Sequence, residues 1–224
     1  MPQTAESIQA DFDRLALLAG REFDHNVFYH RFLRQHLPVR CAVALEIGCG
    51  AGSFARLLAA RAGQVVAYDL SPQMLRLAAE HSAAWPNIEY RLADVRAAVF
   101  EPEQFDCIVS IAALHHLPLR ETLAQLKSAL KPGGTLAVLD LYQAETFGDF
   151  AVSATAVPLN GLARLLKTGR LFPPPELREA WDAHGRTDHY LTLREVRHIC
   201  AEVLPSARIH RHLFWRYSII WKKE

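Results

Sequence analysis

Three acidic residues follow short apolar runs in the first half of the chain, and each could bind a different part of a ligand. Glu46 lies two positions before Gly48, Asp69 follows the run 64–68, and Asp94 follows the run 88–92. A carboxylate accepts hydrogen bonds from an ammonium group, from ribose hydroxyls or from the exocyclic amine of adenine. For Asp94 the alternative interpretation is a helix N-cap. The order of these acids favours a ligand that contains a nucleoside.

Three glycines follow the first of these acids, in the run Leu45-Glu-Ile-Gly-Cys-Gly-Ala-Gly-Ser-Phe54. Gly48, Gly50 and Gly52 permit a tight turn and let a ligand approach backbone amides at a helix N-terminus. A loop that binds a nicotinamide dinucleotide has the spacing G-x-G-x-x-G, which would place its third glycine where Ser53 stands. The acid before the loop would also repel a pyrophosphate. The spacing therefore favours a ligand with an amino-acid part over a dinucleotide.

The elements that must position these residues alternate along the chain. Short apolar runs predict strands at 42–47, 64–69, 88–92, 105–110 and 135–140. Segments with a helical spacing of apolar residues predict helices at 53–62, 72–83 and 119–130. Buried parallel strands have continuous apolar runs, and strands that alternate with helices pair in parallel. We therefore expect a parallel sheet that is covered by helices on both faces.

Beyond residue 140 this alternation stops. The segment 141–190 is long, mostly helix-like and interrupted by prolines and glycines. It predicts a helical cap over the carboxyl ends of the strands, where binding loops lie in α/β folds. Thr192 and Glu195 form a capping box that starts a further helix. Strands at 207–211 and 215–222 are so close in sequence that they can pair only as an antiparallel hairpin.

Together these elements predict an α/β fold with a Rossmann-like, seven-stranded, mostly parallel sheet. We expect a C-terminal antiparallel hairpin, helices on both faces and a helical cap inserted after the fifth strand. The whole chain, 1–224, is predicted to form one domain. Its parts are an N-terminal helical segment (1–40), a cofactor-binding core (41–140), a substrate cap (141–190), and a C-terminal helix and hairpin (191–224).

The composition argues against several classes of protein. Lys and Arg number 25 against 24 Asp and Glu, and a net charge of +1 is too small for a dedicated nucleic-acid binder. The four cysteines are scattered without a C-x-x-C pair, so neither a disulfide framework nor a metal site is predicted. The first residues lack the pattern of a signal peptide, and no apolar run is long enough to span a bilayer. We therefore expect a cytoplasmic protein without a membrane partner.

Six motifs occur in the order that they have in a known family. They are Glu46-Ile-Gly-Cys-Gly-Ala-Gly52, Tyr68-Asp-Leu-Ser-Pro-Gln-Met74, Ala93-Asp-Val95, Phe105-Asp-Cys-Ile-Val-Ser110, Leu114-His-His-Leu-Pro118 and Leu130-Lys-Pro-Gly-Gly134. With these motifs, residues 42–140 resemble the class I S-adenosylmethionine-dependent methyltransferases, of the small-molecule or ubiquinone-methyltransferase-like branch. The resemblance implies that the cofactor is S-adenosyl-L-methionine and that the product is S-adenosyl-L-homocysteine.

The resemblance also implies which residues bind this cofactor. They are Tyr29, Glu46, Gly48, Cys49, Gly50, Gly52, Asp69, Leu70, Met74, Asp94, Val95 and Ile111. The first acid and the glycine loop would hold the amino-acid part, the second acid the ribose hydroxyls and the third the adenine amine. The apolar side chains would pack around the adenine, and the tyrosine would close over the cofactor.

Two adjacent histidines follow the fourth predicted strand, beside the position expected for the transferred methyl group. His115 and His116 are therefore the candidate catalytic residues, because histidine is the usual base near neutral pH when the acceptor is a hydroxyl. The alternatives lie in the cap and in the N-terminal segment. They are His184, Asp188, His189, Tyr190, His25 and His30.

The resemblance implies methyl transfer to a small-molecule acceptor, at oxygen, nitrogen or carbon, by in-line displacement. Two alternatives remain open: an RNA or protein methyltransferase, and a catalytically silent protein that binds the cofactor as a scaffold. A dehydrogenase is opposed by Ser53 and Glu46. We expect a monomer or a homodimer.

Overall fold

The computed structural model describes residues 4–19, 26–146, 148–150, 161, 164–166 and 168–224. Helices and strands alternate through most of these ranges. In chain order they are α1 (Ala5–Ala19), α2 (Val27–His36), β1 (Cys41–Ile47), α3 (Ser53–Ala59), β2 (Ala62–Asp69), α4 (Pro72–His81), β3 (Ile88–Leu92), β4 (Phe105–Ile111), α5 (Leu119–Ala129), β5 (Leu130–Leu141), α6 (Pro175–Gly185), α7 (Leu193–Val203), β6 (Arg208–Arg211) and β7 (Arg216–Lys222).

The strands form one seven-stranded sheet in the order β3-β2-β1-β4-β5-β7-β6. The first five strands pair in parallel, and β7 pairs antiparallel with both β5 and β6. The predicted fold class is therefore confirmed, including the C-terminal hairpin. The chain reverses its direction of travel across the sheet between β3 and β4, so the carboxyl ends of β1 and β4 lie side by side at the switch point.

Buried side chains fill both faces of the sheet. On one face, Leu123 and Leu126 of α5 and Val196 of α7 pack in a cluster with side chains of β4 and β5. On the other face, Leu33 of α2 and Phe54 of α3 belong to a second cluster. This two-sided burial explains the continuous apolar runs of the parallel strands.

The element bounds differ most from the sequence-based prediction at two places, because strand pairing overrides local preference. The predicted helix 53–62 ends at residue 59, since residue 62 already pairs with Cys41 at the start of β2. The predicted strand 135–140 is extended at its start, because Leu130 pairs with Phe105 ahead of an irregularity in the register. Tertiary contacts outweigh propensity at both positions.

The N-terminal helix and the cap meet over α4. Phe12 and Leu15 of α1 pack with Leu177 and Ala180 of α6, and Met74 of α4 contacts the same cluster. Residues 151–160 of the predicted cap lie outside the described residues. Within the described ranges, none of the helices combines the length and the apolar character that a membrane span requires.

The capping box of α7 is confirmed and gives a stability prediction. The Thr192 side chain accepts a hydrogen bond from the Glu195 amide, and the Glu195 carboxylate accepts one from the Thr192 amide. We expect Thr192→Ala to lower the free energy of unfolding by about 1 kcal/mol, because an N-terminal amide of α7 loses its acceptor. Urea denaturation followed by circular dichroism measures this change. Thr192→Ser keeps the hydroxyl and should lose less; an alanine variant as stable as the parent would contradict the assignment.

Candidate functional site

The first two predicted acids lie close together because their strands are neighbours. Ile47 of β1 pairs with Tyr68 of β2, which places Glu46 and Asp69 at the same edge of the sheet. The loop after β1 is fastened to this edge, since the amides of Gly48 and Cys49 donate to the Tyr68 carbonyl at 2.9 and 3.0 Å. The structure therefore brings Glu46, Asp69 and the glycine loop together at one edge of the sheet.

The glycine loop turns tightly against the segment that follows β4. Gly48 has φ +69°, and a Cβ atom there would lie 2.3 Å from the Cβ of Ala113. Gly52 has φ +74°, and its Cβ would lie 2.4 Å from the hydroxyl of Tyr90. Both positions therefore require glycine for two reasons, a left-handed backbone and a close approach. The loop thus brings the β1 edge against the β4 edge.

Glu46 is buried, with 2% of its surface exposed. Among the described residues, its Oε2 atom has no hydrogen-bond partner. Burial raises the pKa of this carboxyl well above its usual value, and the nearby Asp69 raises it further, while Arg56 opposes both. A buried carboxyl with an unpaired oxygen is costly unless a cation binds to it. Its environment therefore suits a ligand with an ammonium group.

Asp69 connects the glycine loop to the start of α4. Its Oδ2 accepts from the Gly50 amide at 2.7 Å, and its Oδ1 accepts from the Ser71 amide at 2.9 Å. Burial raises the pKa of Asp69 although these backbone hydrogen bonds lower it. Each carboxylate oxygen has a second lone pair, so Asp69 can still accept from ligand hydroxyls.

Sequence reasoning missed the contribution of α1 to this edge. The Ser71 hydroxyl donates to Asp13 at 2.5 Å, and the Gln73 amide donates to the same carboxylate oxygen at 3.2 Å. Asp13 therefore caps the N-terminus of α4 next to Asp69. Neither the type nor the spacing of Asp13 signals this contact, because it joins residues that are 58 positions apart.

Asp94 is paired with a cation in this structure. The Arg96 guanidinium donates to both carboxylate oxygens, at 2.7 to 3.0 Å, and the Arg96 amide donates to Oδ1 at 2.9 Å. This pair lowers the pKa of Asp94. The side chain starts a turn and not a helix, so the N-cap alternative is not realised. That Asp94 accepts a hydrogen bond from the adenine amine stays a prediction, for which its carboxylate oxygens have lone pairs.

The other predicted cofactor contacts occupy three places. Val95 is buried in the same cluster as Tyr68, and Leu70 is half-buried directly after Asp69. Ile111 and Tyr29 pack against the cluster that contains Cys49, whose thiol pKa is raised by burial. The Tyr29 hydroxyl donates to the Leu213 carbonyl of the β6–β7 loop, which ties α2 to the hairpin. That this tyrosine closes over the cofactor stays a prediction.

The two candidate catalytic histidines lie in a single 3₁₀ turn, Leu114–His116, directly after β4. His115 Nδ1 is 2.6 Å from Asp140 Oδ1, at the end of β5, and both side chains are buried. The two imidazole rings lie 3.9 Å apart between centroids. No pattern of residue types or spacing indicates the Asp140 contact, because it depends on the pairing of β4 with β5.

The alternative residues of the cap converge on the same two histidines. Asp188 Oδ2 lies 3.9 Å from His115 Nε2 and 3.5 Å from His184 Nε2, and it accepts from the Tyr190 hydroxyl at 2.5 Å. Asp188 Oδ1 lies 3.8 Å from His116 Nδ1. Only 2% of the Asp188 side chain is exposed. The cap therefore adds a buried carboxylate to this cluster.

His184 also contacts α1, whereas the remaining alternatives lie outside the cluster or outside the described residues. His184 Nδ1 is 3.0 Å from Asp11 of α1, a residue that sequence reasoning did not identify. His30 contacts the edge of Phe54, and His189 is exposed. His25 lies outside the described residues.

The pKa values of the two histidines are shifted in opposite directions. Burial alone would lower the pKa of His115, but the carboxylates of Asp140 and Asp188 outweigh it and the pKa is raised. Burial and the neighbouring imidazole of His115 lower the pKa of His116 to about 3, so this ring is neutral at pH 7. The His115 ring therefore takes up a proton more readily than the His116 ring.

A cavity of about 360 Å³ lies beside His115. Apolar side chains from the 3₁₀ turn, from β5 and from α7 form much of its wall, among them Leu117, Leu141, Leu191 and Ile199. A volume of this order accommodates a small organic molecule.

Two comparisons with known proteins agree on one kind of activity. A family profile described as "Methyltransferase domain" matches residues 44–134. An uncharacterized methyltransferase of Mycobacterium tuberculosis is 32% identical over 200 residues, which cover 88% of this chain and 95% of that relative. A ubiquinone biosynthesis O-methyltransferase of Xanthomonas campestris is 29% identical over 201 residues, 80% of this chain and 82% of the relative.

A solved structure of a methyltransferase resembles this chain in its fold. The N-methyltransferase NodS of Bradyrhizobium japonicum, in complex with S-adenosyl-L-homocysteine, matches with a TM-score of 0.59 at 19% identity. The match covers 88% of this chain and 86% of that chain.

The buried Glu46 gives a prediction about stability and pH. Because its folded pKa lies above the usual value of 4.5, its favourable contribution is complete below that value and is lost as the pH rises toward the folded pKa. We expect the ligand-free protein to lose stability above about pH 5 relative to Glu46→Gln, which carries no such charge. Urea denaturation of both proteins between about pH 5 and pH 8 measures this difference. A difference that does not change with pH would contradict the assignment, and Glu101→Gln, at an exposed position, is the control.

Proposed function

Because this chain belongs to the class I S-adenosylmethionine-dependent methyltransferases, we propose that it methylates a small-molecule acceptor. The observation that carries the choice of acceptor is the cavity of about 360 Å³ beside His115, a residue of the turn that follows β4, the strand paired with β1. Quinone-type methyltransferases among the relatives support the same choice.

The described residues fit the cofactor at its amino-acid end. Glu46 offers a buried oxygen without a partner, and the loop at Gly48 leaves no room for a Cβ atom. We assign the ammonium group to Glu46 Oε2 and the close approach of the amino-acid part to the backbone of Gly48, Cys49 and Gly50. The tight turn at Gly52 then begins α3 against Tyr90.

The nucleoside end is assigned to the next two strand ends. Asp69 accepts the ribose hydroxyls with the lone pairs that Gly50 and Ser71 leave available. Asp94 accepts the adenine amine while it remains paired with Arg96. The adenine ring packs among the apolar residues Leu70, Met74, Val95 and Ile111, and Tyr29 closes the site from α2.

S-adenosylmethionine supplies, when bound, a methyl group activated by the sulfonium for in-line displacement. The protein residues align the acceptor and exclude water. We assign the acceptor contacts to His115 and His116, since both rings lie directly after β4 and their side chains are at most 7% exposed. Asp140 fixes the orientation of the His115 ring through the 2.6 Å contact at Nδ1. A hydroxyl oxygen is the acceptor atom that these polar rings favour over carbon.

The free cysteines and the net charge bear on the compartment and on the class of acceptor. Four free cysteines agree with a reducing compartment, so we place the protein in the cytoplasm. That it is a monomer or a homodimer stays a prediction. The near-balance of charge, +1 overall, gives little attraction for RNA. RNA or protein methylation and a silent scaffold are outcomes that the following test distinguishes.

The test supplies methyl-labelled S-adenosylmethionine together with simple phenols, catechols and quinols, with total RNA, or with a denatured protein mixture. We expect label in the small-molecule fraction. We also expect His115→Ala to lower that rate by about 100-fold, because the acceptor loses its alignment. His198→Ala, at an exposed position of α7, is the matched control and should retain the rate.

Two results would contradict the proposal. Label in RNA or protein and none in small molecules would favour a macromolecular acceptor. Cofactor binding without label in any fraction would favour the scaffold. A calorimetric titration with S-adenosylhomocysteine verifies that each protein tested, parent or variant, is folded.

A further inference from the structure

A second cluster of ligating side chains remains beyond the cofactor site. His115 and His116 from the turn after β4 and Asp188 from the segment before α7 each offer one atom, and these three atoms lie within 4.8 Å of one another. We propose that this cluster binds a divalent transition-metal ion such as Zn²⁺. The site itself does not depend on methyl transfer; only a contact between the ion and an acceptor oxygen would rest on the proposed function.

The distances leave a gap of suitable size between the ligand atoms. His115 Nε2 is 3.9 Å from Asp188 Oδ2, and His116 Nδ1 is 3.8 Å from Asp188 Oδ1. These separations are too long for hydrogen bonds. Two atoms bound to one tetrahedral Zn²⁺ at about 2.0–2.1 Å are about 3.3 Å apart. Bringing the three atoms, which now lie up to 4.8 Å apart, to this separation takes side-chain shifts of roughly 0.5 to 1.5 Å.

The hydrogen bonds around the cluster orient its ligand atoms. Asp140 accepts from His115 at Nδ1, which leaves the lone pair on Nε2, the atom that faces Asp188. Metal-bound histidines typically have such a carboxylate behind them. His184 repeats the arrangement, with Asp11 at Nδ1 and Asp188 3.5 Å from Nε2. Its ring therefore borders the cluster without being one of its three ligand residues.

Asp188, the carboxylate at the centre of the cluster, is only partly hydrogen-bonded by the protein. The Tyr190 hydroxyl donates to Asp188 Oδ2, whereas Oδ1 has no hydrogen bond within the described part of the chain. The three carboxylates Asp11, Asp140 and Asp188 surround three imidazoles, and a divalent cation would offset this excess of negative groups. The cluster thus has both the unpaired oxygen and the charge that a cation site requires.

The type of donor selects the type of ion. Two imidazole nitrogens and one carboxylate oxygen suit Zn²⁺, Fe²⁺, Co²⁺ or Ni²⁺, whereas Mg²⁺ and Ca²⁺ prefer sites made entirely of oxygen. Three protein ligands leave at least one position for an external oxygen ligand. We therefore expect Zn²⁺ and Co²⁺ to bind and Mg²⁺ to bind far more weakly.

The test uses the full chain, stripped of metal with a chelator and dialysed. Calorimetric titration with Zn²⁺ should give one ion per chain, and titration with Co²⁺ should give a visible absorption band typical of mixed nitrogen and oxygen ligands. We expect Asp188→Asn to lower the affinity for Zn²⁺ by about 100-fold or more, and Asp140→Asn by about 10- to 100-fold. His198→Ala, on the exposed face of α7, should bind Zn²⁺ as the parent does.

The affinity for S-adenosylhomocysteine is measured on each variant. It distinguishes loss of the metal site from misfolding and from loss of the cofactor site on which the proposed function depends. Loss of Zn²⁺ with retained cofactor affinity supports the metal site. The absence of stoichiometric Zn²⁺ binding in the parent protein would overturn it, and so would unchanged Zn²⁺ affinity in an Asp188→Asn protein that binds the cofactor. In either of those cases the cluster is a network that shares protons among its own groups.

Discussion

The burial of a carboxyl group with an unpaired oxygen is the constraint on which the site depends. Glu46 is 2% exposed, and its position on β1 is fixed by parallel partners on both sides, β2 and β4. Such a group destabilises the ligand-free fold, because the charged form loses its hydration. A cationic ligand bound at Glu46 would remove this destabilisation. Local destabilisation of this kind is typical of binding sites.

The rest of the structure keeps this edge of the sheet in place. The glycine loop is held by Tyr68 and by Asp69, and Gly48 presses against Ala113. Asp13 ties α1 to the start of α4, and Asp11 ties the same helix to His184 of the cap. One helix therefore contacts both the cofactor edge and the histidine cluster.

Sequence reasoning predicted the parts of the molecule that local chemistry determines. The strand–loop–helix around Gly48, the start of α4 at Pro72 and the capping box at Thr192 each follow from residue types at fixed spacing, and the structure confirms these elements. The contacts of Asp13 and Asp140 could not be predicted, because they join residues that only the packed fold brings together. The end of α3 was wrong for the same reason, since strand pairing begins at residue 62.

The most direct test of the account measures the affinity of S-adenosylhomocysteine for the parent protein and for Glu46→Gln by calorimetry. We expect binding to be about 10- to 100-fold weaker in the variant, because a charge-assisted hydrogen bond to the ammonium group is lost. Glu101→Gln, an exposed substitution of the same type, should bind as the parent does. Equal affinity in the parent and in Glu46→Gln would contradict the central claim that this buried carboxylate anchors the cofactor.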